Sequence, residues 1–70
     1  MKEFTVVIEK DEDNWLVSMV LELPGCHSQG KTMDELLERT REAIGVYLEA
    51  LDERELEPRI EFVGVQRVKV

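Results

Sequence analysis

Cys26 and His27 stand side by side in the stretch LPGCHSQGKT, residues 23–32, and are the chain's only cysteine and only histidine. A thiolate beside an imidazole offers the ingredients of a metal site or of a base-activated cysteine nucleophile. Adjacent residues on a strand point to opposite faces, however, so these two would not converge on one ion or one substrate. No second Cys or His completes a zinc set. The pair therefore reads as a buried small thiol beside a surface imidazole. Asp11, Glu12 and Asp13 carry oxygen ligands suited to Mg²⁺ or Ca²⁺. They lack the alternating ligand spacing and central glycine of a calcium loop, and read instead as a solvated hairpin tip. Gly25 and Gly30 belong to no phosphate-cradling glycine motif. Ser18, Ser28, Thr32 and His27 give no nucleophile, base and orienting group in a recognisable set. No catalytic residue, metal ligand or cofactor is assigned, and the chain is not expected to be an enzyme.

The elements that must position these residues follow from periodicity. Residues 3–9, EFTVVIE, are rich in β-branched and aromatic side chains. They alternate Phe4, Val6 and Ile8 on one face with Thr5 and Val7 on the other, as a strand does. The polar run KDEDN, residues 10–14, has hairpin length and ends in Asn, a residue that tolerates left-handed backbone. A second strand over 15–21 sets Trp15, Val17 and Met19 against Leu16, Ser18 and Val20. Pro24-Gly25 breaks the pairing, and 26–29 has room for a short third strand closed by Gly30. The period then changes from two to 3.6 at Thr32, where Thr32 and Glu35 have the spacing of a capping box. Met33, Leu36, Leu37, Thr40, Ala43, Ile44, Tyr47, Leu48 and Leu51 fall within one arc of a helix over 33–52, and Thr40 is its one polar member. Glu35 and Arg39 are spaced to pair one turn apart. Before Pro58 the helix should stop, near Glu53, and β character returns within 60–69 with Gly64 in its middle, where a bulge or close backbone approach is expected. The expected fold is α+β in the order β-β-β-α-β, a small antiparallel-rich sheet with one helix packed on one face.

Seventy residues, 43% of them apolar, suit a single domain, 1–70, with one core. No run is long and apolar enough for a membrane span, and the N-terminus has no signal-peptide pattern, so a cytoplasmic location is expected. Nine Lys and Arg against sixteen Asp and Glu give a net charge of −7. That field repels phosphate backbones and attracts basic surfaces, which argues against direct nucleic-acid binding by this chain alone. One helix can cover only one face of a sheet whose strands carry apolar groups on both, and an open apolar face implies a partner or a second copy.

A first strand ending IEKDEDN, a second strand running into LELPGCHSQGKT, and a helix that opens TMDELLERTREAI and closes YLEAL resemble the HicB-like antitoxins. The resemblance spans residues 4–51. Leu23, Pro24, Gly25, Cys26, Gln29, Gly30, Thr32, Glu35, Leu37, Glu42, Ala43 and Ile44 match the family pattern. Asn14 stands where Gly is usual, Ser18 for Ala, Leu21 for Pro, Glu22 for Asp and Leu36 for Ala. The resemblance implies a truncated ribonuclease H-like fold without the nuclease carboxylates. It also implies a partner, the small basic ribonuclease toxin HicA, whose active site the antitoxin covers. Larger members carry a C-terminal DNA-binding segment; with only nineteen or so residues after the helix, none is expected here.

Three readings of function follow. The first is an antitoxin-type protein that binds and masks a HicA-like ribonuclease. The second is an orphan relative, a structural homodimer or higher homo-oligomer without a toxin. The third is an enzyme with remnant metal-dependent nuclease chemistry at Asp11, Glu12 or Asp13. Under the first, Pro24, Gly25, Cys26, Gln29, Gly30, Thr32 and Glu35 shape a turn and a helix start, while Trp15, Val17 and Met19 supply the partner or oligomer face.

Overall fold

A computed structural model describes residues 3–51 and 61–70. Three strands come first: β1, Val6–Lys10; β2, Leu16–Val20; and β3, His27–Gly30. They form one antiparallel sheet in the order β1-β2-β3, and a single helix follows, α1, Met33–Ala50. The arrangement is α+β, as the change of period at Thr32 implied.

The register is set by side-chain alternation. Val6 pairs with Val20, Ile8 with Ser18 and Lys10 with Leu16, while Ser18 also faces Ser28 and Leu16 faces Gly30. These even-numbered residues of β1 and β2 share the face that α1 covers. Asn14, at the end of the first turn, adopts φ 65°. Asp11 holds that turn from within: its Oδ1 accepts from the backbone N–H groups of Asp13 and Trp15, each at 2.9 Å. The second turn depends on Gly25, whose φ of 84° strains any other residue.

Thr32 caps α1 with extended backbone, its Oγ1 accepting from Glu35 N–H at 3.1 Å. The capping box is only half made. Glu35 turns its carboxylate to Arg39 at 2.9 Å instead of returning it to Thr32. The charged partner one turn along outbids a neutral N–H. The helix ends with Leu51 N–H bonded to Leu48 C=O at 3.3 Å. That end, with α1 closing at Ala50 and Leu51 already in extended backbone, falls two residues short of the expected 33–52.

The core is small. Val20, Leu23 and Cys26 are buried together, surrounded by Phe4, Val6, Ala43, Ile44, Tyr47, Leu48 and Leu51. Leu36 is wholly buried where α1 meets the end of β3. Gly30 makes that approach possible, because a Cβ there would lie 2.8 Å from Leu36 N. Two members of the expected apolar arc sit outside the core: Met33 is 44% and Leu37 38% exposed. The cause is placement, since α1 lies chiefly over β2 and β3 and leaves the helix side of β1 thinly covered.

The fourth strand expected within 60–69 is not formed. Residues 61–70 carry no strand and are exposed throughout, and Ile60 lies outside the described residues. Gly64 shows neither bulge nor close approach, with nothing within 4 Å of a Cβ built on it. A strand needs a neighbour to bond, and among the described residues this segment has none.

Candidate partner-binding surface

The face of the sheet turned away from α1 is built from odd-numbered residues. Val17 and Met19 lie on it beside Val7 and Glu9 of β1 and His27 and Gln29 of β3, as the register requires. Trp15 enters the same face just before β2, and Lys31 Nζ stands 5.2 Å from the centre of its ring. That cation over the indole supports the ring at one end of the face. Met19 is 47% exposed at the other end, while Trp15 and Val17 are half-buried. A concavity of about 760 Å³ reaches from Val17 and Met19 past His27 and Gln29 to Ser18, Ser28 and Arg39 on the helix side, and Trp15 lies outside it. Of the three residues singled out from the sequence, Val17 and Met19 thus line one open surface, with Trp15 just before them.

Residues of the turn motif serve the scaffold. Pro24 offers its carbonyl to Tyr47 Oη at 2.7 Å, tying the turn to α1. Gln29 gives its carbonyl to Arg39 Nη1 at 3.1 Å. Cys26 is buried and free, and burial raises its thiol pKa, favouring the protonated, unreactive form. His27, by contrast, is exposed on the opposite face. Cys26 and His27 therefore diverge as strand geometry demands. Asp11, Glu12 and Asp13 are exposed at the hairpin tip, and no group of three or more potential metal-ligating side chains occurs among the described residues.

Two departures from the family pattern acquire a physical explanation. Ser18 and Thr40 are buried, 3% exposed each, with their hydroxyl oxygens 2.8 Å apart. Thr40 Oγ1 also bonds Leu36 C=O at 2.7 Å. A hydroxyl has one proton, and Thr40 spends its own on that carbonyl, so Ser18 must donate to Thr40. The odd polar residue of the helix arc and the Ser on the inward face of β2 are one network. The sequence held the signal: each is a lone polar residue on an otherwise apolar face. Glu22, the second departure, reaches Thr5, its Oε1 accepting from Thr5 N–H at 2.7 Å. Burial opposes its ionisation, but bonds from the Thr5 hydroxyl, the Thr5 N–H and its own N–H outweigh that, and its pKa is lowered.

The geometry defines a small α+β module with a packed, fully bonded side and an apolar side turned outward. The model of the HicB-like antitoxins of bacterial toxin-antitoxin systems matches residues 4–68, and the chain belongs to that family. It is 53% identical over 68 residues to a UPF0150 protein of Archaeoglobus fulgidus, covering 97% of this chain and 94% of the relative. A UPF0150 protein of Synechocystis sp. is 48% identical over 69 residues, covering 99% and 96%. One from Thermoplasma acidophilum is 51% identical over 49 residues, covering 70% and 71%. No solved structure matches. This is an antitoxin-type protein, and among the described residues no helix is long and apolar enough to cross a membrane.

Proposed function

We propose that the chain, acting in the cytoplasm as a single domain, binds and masks a small basic ribonuclease of the HicA kind. One observation carries the reading: an acidic protein turns its Trp15, Val17 and Met19 face outward although a helix packs the other side. Opposite charge speeds encounter and sets orientation, over a range that salt limits to about 8–10 Å. Ion pairs at a wet rim add little, so durable binding falls to the apolar centre. Trp15 is suited to that role because it is large and held in place by Lys31. Met19 adapts its shape to the partner. In this reading the antitoxin contributes no chemistry and acts by occupying the toxin's active surface.

The test is a titration of RNA cleavage by a purified basic ribonuclease of the HicA kind. Wild type should inhibit, less tightly as salt rises. Trp15→Ala and Met19→Ala should each weaken inhibition by about tenfold or more, as loss of an interface anchor does. The helix signal in circular dichroism should stay intact. Full inhibition by both variants at every salt concentration removes this face from the interaction.

A further inference from the structure

The two edges of the sheet are unequal. At the β3 edge, His27 and Gln29 direct their backbone groups outward; Arg39 donates to the Gln29 carbonyl and α1 packs most closely against this strand, so that edge is part-covered. At β1, the backbone bonds Leu21 N–H to Thr5 C=O and Asp11 N–H to Trp15 C=O show which residues face β2. Antiparallel pairing alternates, so Val6, Ile8 and Lys10 direct their N–H and C=O groups outward. Among the described residues nothing bonds them. On the helix side of the same edge Ile8 is 37% exposed, because α1 packs chiefly against β3 and β2. An uncovered edge with an apolar flank is an acceptor for another strand.

The same chain carries a matching donor. Residues 61–70 make no backbone bond to the sheet among the described residues, and Phe62, Val63, Val65, Val68 and Val70 are all exposed. Taken as a strand, the segment has Phe62, Val68 and Val70 on one face and Val63 and Val65 on the other. That two-sided apolar pattern belongs to a strand covered on both faces. It also carries Arg67 and Lys69 against a single acid, Glu61, in a chain of net charge −7. The donor is basic and the body that would receive it is acidic.

We propose that residues 61–70 form a donated strand that pairs with the free β1 edge of a second copy, making an exchanged dimer. The second copy is the occupant because each chain carries both a donor segment and an acceptor edge, and among the described residues this segment makes no bond to its own sheet. A two-fold exchange satisfies both at once, leaving neither an open β1 edge nor a stray apolar tail. Phe62, Val68 and Val70 would cover the Ile8 side. Val63 and Val65 would extend the face that holds Val7 and Met19. The inference does not depend on toxin binding.

The experiment takes the full chain without any toxin and measures molar mass in solution and amide hydrogen exchange. Wild type should have twice the mass of one chain, with the outward amides of Val6, Ile8 and Lys10 protected. A double variant, Val65→Pro with Gln66→Pro, removes one inward N–H whichever register the tail adopts. Both positions are exposed within one chain, so the helix signal should persist. The mass should halve, and protection of the three amides should fall at least tenfold while Val7 and Glu9 stay protected. Lys10→Pro tests the acceptor side and should weaken the dimer with the tail intact. A monomeric wild type overturns the proposal, and so does a dimer that neither variant weakens. A monomer with protected outward amides overturns it as well, since the tail would then be on its own sheet.

Discussion

Strand β2 presents two faces of opposite character. Leu16, Ser18 and Val20 face α1, and Val17 and Met19, with Trp15 before them, face outward. The inward face holds the polar residue, yet it is the buried one. The outward face carries an indole and a thioether and stays open. Ranking the faces by hydrophobicity would have buried the wrong one. Ser18 is tolerated inside because Thr40 accepts its proton, so that face contains no unsatisfied polar side chain. The open apolar face, in turn, is what an interaction protein keeps for its partner.

The sharpest test of this contrast lies in the packed side. Leu36→Ala should cost about 2–5 kcal/mol as a fully buried truncation. Leu37→Ala, at 38% exposure, should cost well under half as much. Denaturant midpoints measure both, and equal losses would mean that α1 is seated with a different stripe toward the sheet.

Next in size comes the hydroxyl pair. Thr40→Val should cost about 1–3 kcal/mol, since it leaves the Ser18 hydroxyl buried without an acceptor. Adding Ser18→Ala should recover most of that loss. A double-mutant cycle in urea checks it, and simple additivity would show that the two residues do not act as a pair.

The open face should be nearly silent in stability. Met19→Ala should change the unfolding free energy by no more than about 0.5 kcal/mol, because its side chain has little packing to lose. A large loss would mark the face as part of the core and break the comparison.

The smallest effect concerns pH. Glu22 has a folded pKa below its ordinary value, so the folded state favours its ionised form. Its contribution is present above the unfolded pKa and fades as pH falls through the folded one. Thermal midpoints of wild type and Glu22→Gln should therefore converge on acidification. Curves that stay parallel through the carboxylate range would remove Glu22 from the acid response.

Most elements were legible because local rules agree in them. The hairpin at 10–14 was readable from KDEDN, and Asn14 takes the left-handed backbone its side chain tolerates. The start of α1 was readable from Thr32 and the change of period. Val17 and Met19 share a face, with Trp15 just before them, because alternation along a strand fixes which residues point together. Leu37 and Leu36 were not separable, being one residue apart in the same arc. Only the lateral position of α1 over β2 and β3 decides between them. The C-terminal segment was misread for a related reason: β propensity at 61–70 is local, but a strand exists only where another backbone meets it.

The sequence by itself determined the order of strands and helix, the pairs of residues that share each face, the turn glycines and the acidic field. These depend on period, backbone sterics and formal charge, which neighbours in the chain define. Tertiary structure decided which face of the sheet was buried, that Ser18 would meet Thr40, and that Gly30 would admit Leu36. It also left the outward groups of β1 unpaired among the described residues. Those outcomes depend on where α1 comes to rest, a balance of packing and hydrogen bonds between residues distant in the chain.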